Sequence, residues 1–168
     1  ISDPFFRSLT DSIVAQLAQT ECLPSEGGQW KCPSDLRIAE KRFRDLFPPT
    51  VSMELFGFDY VDHRVQGGND LLRRLGAKSI TFQDIFNVFK LHGDWLKKQD
   101  IEWKARFYAM LAELDLQKLV AGLVSLPCIP TNAGDLVVPS QSHVFYPLSR
   151  GKKFGFEQEL VIIDSELL

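Results

Sequence analysis

The chain has no apolar run approaching the ~18 residues that a membrane-spanning helix needs, and no excess of one charge. Its 19 basic and 22 acidic residues leave a net charge of −3, so nothing global favours nucleic acid or an acidic membrane surface. Cysteine is scarce: Cys22, Cys32 and Cys128 form an odd set without CxxC spacing. That argues against a disulfide framework and for reduced thiols, hence an intracellular, cytoplasmic setting. The three histidines, His63, His92 and His143, stand at no zinc-binding spacing from a cysteine. Neither GxGxxG nor GxxxxGK[ST] occurs. No linker or low-complexity tract divides the chain, which reads as one module over 1–168. It starts at Ile1 with no Met or leader pattern, and Leu167-Leu168 closes it soon after the apolar run Leu160 to Ile163. Both ends predict a piece of a longer protein.

What is present is an ordinary globular composition, 45% hydrophobic with 13 Phe and 3 Trp, and an internal repeat. Residues 13–34 (IVAQLAQTECLPSEGGQWKCPS) align without a gap with residues 119–140 (LVAGLVSLPCIPTNAGDLVVPS), 106 positions later. Val14/Val120, Ala15/Ala121, Leu17/Leu123, Cys22/Cys128, Pro24/Pro130, Gly28/Gly134, Pro33/Pro139 and Ser34/Ser140 are identical. Eight matches in 22 positions compare with on the order of one or two expected from ordinary residue usage. The second unit is then truncated, and its Leu160 to Leu168 end is expected to be frayed, exposed or packed on another molecule.

Each copy reads as a helix followed by a β-hairpin. Asp3-Pro4 opens the first helix, with Phe6, Leu9, Ile13 and Leu17 at helical spacing and Val14 beside them. Ser25-Glu26-Gly27-Gly28 supplies turn chemistry, and Gly28 and Gly134 are expected at positive φ. Between the copies, Lys41 to Phe47 predicts a short helix ending before Pro48-Pro49, and Phe58 to Val61 a strand. Gln66 to Asn69 reads as a loop, and Leu71, Leu72 and Leu75 as one helical face stopping at Gly76. Thr81-Phe82-Gln83-Asp84 resembles a capping box that starts a helix with Phe82, Ile85, Phe86 and Phe89 inward. Helices are expected near 101–114 and 116–125, the hairpin again at 127–138, and extended runs at Val144-Phe145 and Leu160 to Ile163. Helices and short antiparallel strands are segregated, which predicts an α+β fold.

The shared pattern is Cys-[Leu/Ile]-Pro-[Ser/Thr]-x-x-Gly-x-x-x-x-Pro-Ser after an apolar helix. In the first copy it is followed by Phe58-Asp59-Tyr60-Val61-Asp62, then Leu71-Leu72-Arg73-Arg74-Leu75-Gly76-Ala77 and Ile80-Thr81-Phe82-Gln83-Asp84-Ile85. This order resembles segments of sacsin-like and NO VEIN-like proteins, large multidomain proteins with a GHKL-type ATP-binding domain. The resemblance spans about the whole chain at pattern level. It implies a non-catalytic, chaperone-like or scaffold segment downstream of the nucleotide-binding domain. No Asn-rich GHKL helix and no Asp-x-Gly-x-Gly lid occurs here, so ATPase activity attaches to none of these residues.

Candidate chemistry is sparse. Cys22 and Cys128 recur at equivalent positions, and Cys32 aligns with Val138, so all three read as small buried hydrophobes. A Cys22–Cys32 cross-strand disulfide is the geometric alternative. A cysteine hydrolase would need His63 or His92 and an acid such as Asp62, without a local signature. Lys41-Arg42-Phe43-Arg44 interleaves basic and aromatic residues as a phosphate-tracking segment does. Arg73-Arg74 and Arg150-Gly151-Lys152-Lys153 are further basic clusters, but Glu40, Asp45 and Glu54 near the first segment and the acidic overall charge favour a solvated or interdomain face. Gly27-Gly28 and Gly67-Gly68 read as turns. Phe5-Phe6, Phe47, Phe56, Phe58, Phe86 and Phe89 read mostly as core. The expectation is no catalytic residue, metal or cofactor, with other domains or protein partners as ligands and nucleic acid and membrane disfavoured.

Overall fold

A computed structural model describes residues 4–114, 116–131, 133–145 and 161–162. The chain divides into two compact units, Ile1–Thr81 and Phe82–Leu168. One helix–hairpin copy lies in each. The boundary falls inside the capping-box sequence, where composition carries no linker signal, so the sequence read as a single module.

The first unit opens with helix α1 (Pro4–Ala18). Strands β1 (Leu23–Pro24) and β2 (Trp30–Lys31) form the hairpin, with Leu23 opposite Lys31 and Pro24 opposite Trp30. Gly28 closes the turn at φ 80°, a left-handed conformation that costs glycine little. Pro33 then starts a 3₁₀ turn leading into β3 (Leu36–Ile38). Helices α2 (Lys41–Leu46) and α3 (Pro49–Phe56) carry the chain to β4 (Asp59–Tyr60). A 3₁₀ turn over His63–Gly68 runs into α4 (Asn69–Arg74), so the segment expected as a loop continues into the helix. Gly76, at φ 105°, ends it before β5 (Lys78–Ser79).

The fold class is α+β, as expected, but the main sheet of this unit differs from the antiparallel pattern. Its order is β4-β3-β5, and both pairings of the central β3 are parallel. Strands of two or three residues leave no alternation to read. The hairpin docks on the free side of β4: the Glu26 N–H donates to the Tyr60 carbonyl at 3.0 Å and the Asp62 N–H to the Pro24 carbonyl at 2.9 Å. Val14 of α1 packs on the core built by Leu23, Leu36, Ile38, Val61, Leu72, Leu75 and Ala77. Leu71, read as one face with Leu72 and Leu75, is 53% exposed while those two are buried.

On the other side of the sheet lies an aromatic cluster. Phe47 sits 4.8 Å from Phe43 and 5.3 Å from Phe56 between ring centroids, and Phe56 stacks on Phe58 at 5.1 Å. The buried Tyr60 hydroxyl donates to the Phe47 carbonyl at 2.9 Å. Desolvation pushes that phenol's pKa up.

The second unit begins with α5 (Phe82–Leu91), α6 (Gly93–Lys97) and α7 (Ile101–Ala112). Asp100 caps α7 by accepting the Trp103 N–H at 2.7 Å. Ile85, Val88 and Phe89 of α5 are buried, while Phe82 and Phe86 are only half-buried. Helix α8 (Leu116–Leu123) follows, then the hairpin β6 (Ile129–Pro130) with β7 (Leu136–Val137). Strands β8 (Val144–Phe145) and β9 (Val161–Ile162) pair in parallel. The remainder of the Leu160 to Leu168 end lies outside the described residues, as do the Phe5 and Phe6 side chains.

Gly122 of α8 lies against the Phe86 ring, where a Cβ would stand 2.0 Å from the nearest ring carbon. In an open helix, Gly→Ala gains about 1 kcal/mol. Here the clash reverses the sign: Gly122→Ala should cost about 1–3 kcal/mol of overpacking. The same substitution in a Phe86→Ala background should be neutral or stabilising, and thermal unfolding of the four proteins checks this cycle.

Candidate functional site

The two helix–hairpin copies share their hairpin register and turn bonds. Ile129 stands opposite Val137 and Pro130 opposite Leu136, the first hairpin's register shifted by 106 residues. The Ser25 N–H donates to the Gln29 carbonyl at 2.8 Å, and the Thr131 N–H to the Asp135 carbonyl at 2.9 Å. Gly28 and Gly134 each donate to the residue three before at 2.9 Å, with φ of 80° and 81°.

The cysteines take part in the same way. The Cys22 thiol donates to the Leu17 carbonyl at 3.3 Å, and the Cys128 thiol to the Leu123 carbonyl at 3.4 Å. Each ties its hairpin to a carbonyl at the end of its helix, one that also accepts a backbone N–H from the residue three further on. Burial pushes the Cys128 thiol up to about 11, so it stays protonated at neutral pH and is a poor nucleophile. Cys32 is raised too, by partial desolvation and then by Asp35, Glu21 and Cys22. All three are free thiols; no Cys22–Cys32 disulfide forms.

Among the described residues, a group of charged side chains gathers at the carboxyl end of β4. Asp62, His63 and Arg64 follow that strand directly. Glu26 reaches in from the first hairpin turn and Pro49 from the start of α3. Together these five line an open cleft of about 440 Å³. The carboxyl ends of parallel strands are where α/β sheets commonly place ligands, so this is the candidate site.

Its charges are already matched. Asp62, though 7% exposed at its side chain, accepts the Arg64 N–H at 2.8 Å and the Arg64 guanidinium at 2.6–3.1 Å. Those bonds hold its carboxyl well below the usual range. Glu26 pairs with Arg44 of α2, both largely buried. His63 Nδ1 lies 3.4 Å from Glu26 Oε1 and 3.6 Å from Asp62 Oδ1. Beneath the same turn, buried Asp59 accepts the Tyr60 N–H at 2.7 Å and faces Lys31 Nζ at 3.4 Å. A Cβ on Gly27 would meet Asp59 Oδ2 at 2.6 Å, so this glycine makes room for a carboxylate. The group is an ionic clasp between the hairpin turn, α2 and the end of β4. No cysteine lines it, and among the described residues no His/Cys/Asp/Glu group could hold a metal ion.

The pH dependence follows from Asp62. An unfolded Asp titrates near 3.9 and the folded one lower, so its stabilisation is complete above about pH 4 and fades as pH falls below that. Asp62→Asn should lower stability at pH 7 and flatten the acid limb between about pH 4 and 2. Urea unfolding at a series of pH values checks it.

The remaining candidates disperse. His92 is half-buried and precedes α6, and His143 is exposed. In Lys41 to Arg44, Phe43 is 5% exposed inside the aromatic cluster, Arg44 is spent on Glu26, and Arg42 pairs with Glu40 at 2.9 Å. The interleaved aromatic is therefore not presented to a base. Arg73 pairs with Asp70 and Arg74 with Asp11, each at 3.3 Å. Gly67-Gly68 lies in the 3₁₀ turn with open space around it, and Arg150 to Lys153 lies outside the described residues. Sequence reading missed the Glu26–Arg44–Asp62–Arg64 clasp. Only the two-residue Asp62/Arg64 spacing hinted at it, since Glu26 and Arg44 meet across 18 residues.

Among the described residues no helix is long and apolar enough to cross a membrane. Comparison with known proteins returned no matching family model, no matching curated protein and no matching solved structure.

Proposed function

We propose that this chain is a non-catalytic scaffold or partner-binding module of a large, chaperone-like multidomain protein of the sacsin-like kind. One observation carries the reading: the residues that look most like a motif do the same structural work twice. Cys22 and Cys128 each donate to a helix-terminal carbonyl, and Gly28 and Gly134 each turn a hairpin. A nucleophile would be expected in one copy with a base beside it, not in both with a carbonyl. The buried Phe43 and the paired Arg42 and Arg44 do not favour the nucleic-acid reading.

Thiol alkylation and turnover test this together. Cys128 should react with iodoacetamide far more slowly than a free thiol at pH 8, accelerating only as pH approaches 11. The purified chain should hydrolyse neither ATP nor a generic ester. Turnover that disappears with Cys128→Ala would overturn the proposal, as would a fast-reacting Cys128.

A further inference from the structure

The two copies share a helix–hairpin plan, yet they bury different, adjacent faces of the helix. Beyond the matching thiol bonds, the Thr20 N–H donates to the Leu17 carbonyl at 3.1 Å and the Leu126 N–H to the Leu123 carbonyl at 2.9 Å. These shared bonds let positions 106 apart be compared, although at the junction the Cys22 N–H donates to the Thr20 carbonyl and the Cys128 N–H to the Val137 carbonyl.

Leu119 is 5% exposed, while its counterpart Ile13 is 47% exposed. Gly122, Leu123 and Leu126 are half-buried, whereas Gln16, Leu17 and Thr20 are exposed. These positions follow i, i+3, i+4, i+7 spacing, one helix face continued into the turn after it, since α1 ends at Ala18 and α8 at Leu123. The neighbouring face shows the reverse. Val14 and Ala18 are half-buried, Val14 against the sheet core, while Val120 and Val124 are 60% and 44% exposed.

The second copy records what covers the first of these faces. Helix α5 packs on α8, with Phe86 against Gly122. From α7, the Tyr108 hydroxyl donates to the Cys128 carbonyl at 2.6 Å. Helix α5 thus covers the helix at Gly122, and α7 reaches the start of its hairpin. The bare face of α1 is electrostatically suited to the same kind of occupant. Ile13, Gln16, Leu17 and Thr20 carry no charge, and Asp11 beside them is matched by Arg74 at 3.3 Å.

We infer that the Ile13/Gln16/Leu17/Thr20 face of α1 is a docking surface for an amphipathic helical element of the α5–α7 kind, supplied by a protein neighbour. One difference defines its chemistry further. Gln16 stands where the second copy has Gly122, so a ring placed like Phe86 would collide with the Gln16 Cβ. The occupant carries a small side chain at that point. This inference rests on the partner-binding reading and names the partner class.

The test uses the full chain and labelled peptides of residues 82–112, one with Phe86 and one with Phe86→Ala, followed by fluorescence anisotropy. The Phe86→Ala peptide should bind saturably. Ile13→Glu and Leu17→Glu should each weaken it at least tenfold, and Val120→Glu should leave it unchanged. Gln16→Gly should admit the Phe86 peptide. Circular dichroism confirms that these surface variants stay folded. Absence of saturable binding in every combination overturns the inference, and so does binding indifferent to Ile13 and Leu17. A concentration-dependent dimer lost with Ile13→Glu overturns it in favour of a second copy as occupant. Failure here leaves the non-catalytic reading standing, because that reading falls only to turnover or a reactive Cys128.

Discussion

Phe107→Ala should destabilise the Phe82–Leu168 unit by about 3–5 kcal/mol, the usual cost of emptying a large buried aromatic site. Phe107 is wholly buried. Its ring stacks on Trp103 at 5.0 Å, lies 5.6 Å from Phe89 and meets Tyr108 edge-on at 5.8 Å. Phe89 comes from α5 and the other rings from α7, so the truncation opens the seam between these helices. Tyr108 also holds the second hairpin through the Cys128 carbonyl, so the hairpin should loosen with the helices. Hydrogen exchange should show lost protection concentrated in this unit, because openings follow compact cooperative units. Equal loss across residues 4–81 would contradict the division into two units.

Phe47→Ala is the corresponding test of the first unit, again with an expected loss of about 3–5 kcal/mol. Phe47 is fully buried at the junction of α2 and α3, between Phe43 and Phe56. Its carbonyl is the acceptor for the Tyr60 hydroxyl, so a cavity here also relaxes a buried hydrogen bond. Tyr60→Phe separates the two effects. It keeps the ring and removes only the hydroxyl, for a loss of about 1–3 kcal/mol. Chemical denaturation of both variants, with exchange protection mapped to residues 4–81, checks the ordering. A Tyr60→Phe loss equal to that of Phe47→Ala would mean that the hydrogen bond, rather than packing, dominates this core.

Several elements were legible because their causes are local. Asp3-Pro4 and the apolar spacing after it mark α1, and Pro48-Pro49 ends α2 where a following proline disfavours helix. The turns at Gly28, Gly76 and Gly134 are set by backbone freedom at single residues. Helix α3 and strands β3 and β5 were not foreseen. The strands are too short for alternation, and their parallel pairing joins Arg37 to Tyr60 and to Lys78, far apart in the chain. The ionic clasp was hidden for the same reason. Lys41 to Arg44 looked like a basic surface segment until the fold placed Phe43 among aromatic rings and Arg44 against Glu26.

By itself the sequence determined the helix–hairpin unit, its positive-φ glycines and its repetition, since turn chemistry and helical spacing act over a few residues. Tertiary structure decided which side of each helix faces inward. Ile13 and Leu119 occupy the same place in the repeat, yet one is exposed and the other buried. A helix with apolar residues on two adjacent faces carries no signal for which face its neighbours will cover. That choice belongs to the elements packed against it: a parallel sheet in the first unit, helices in the second.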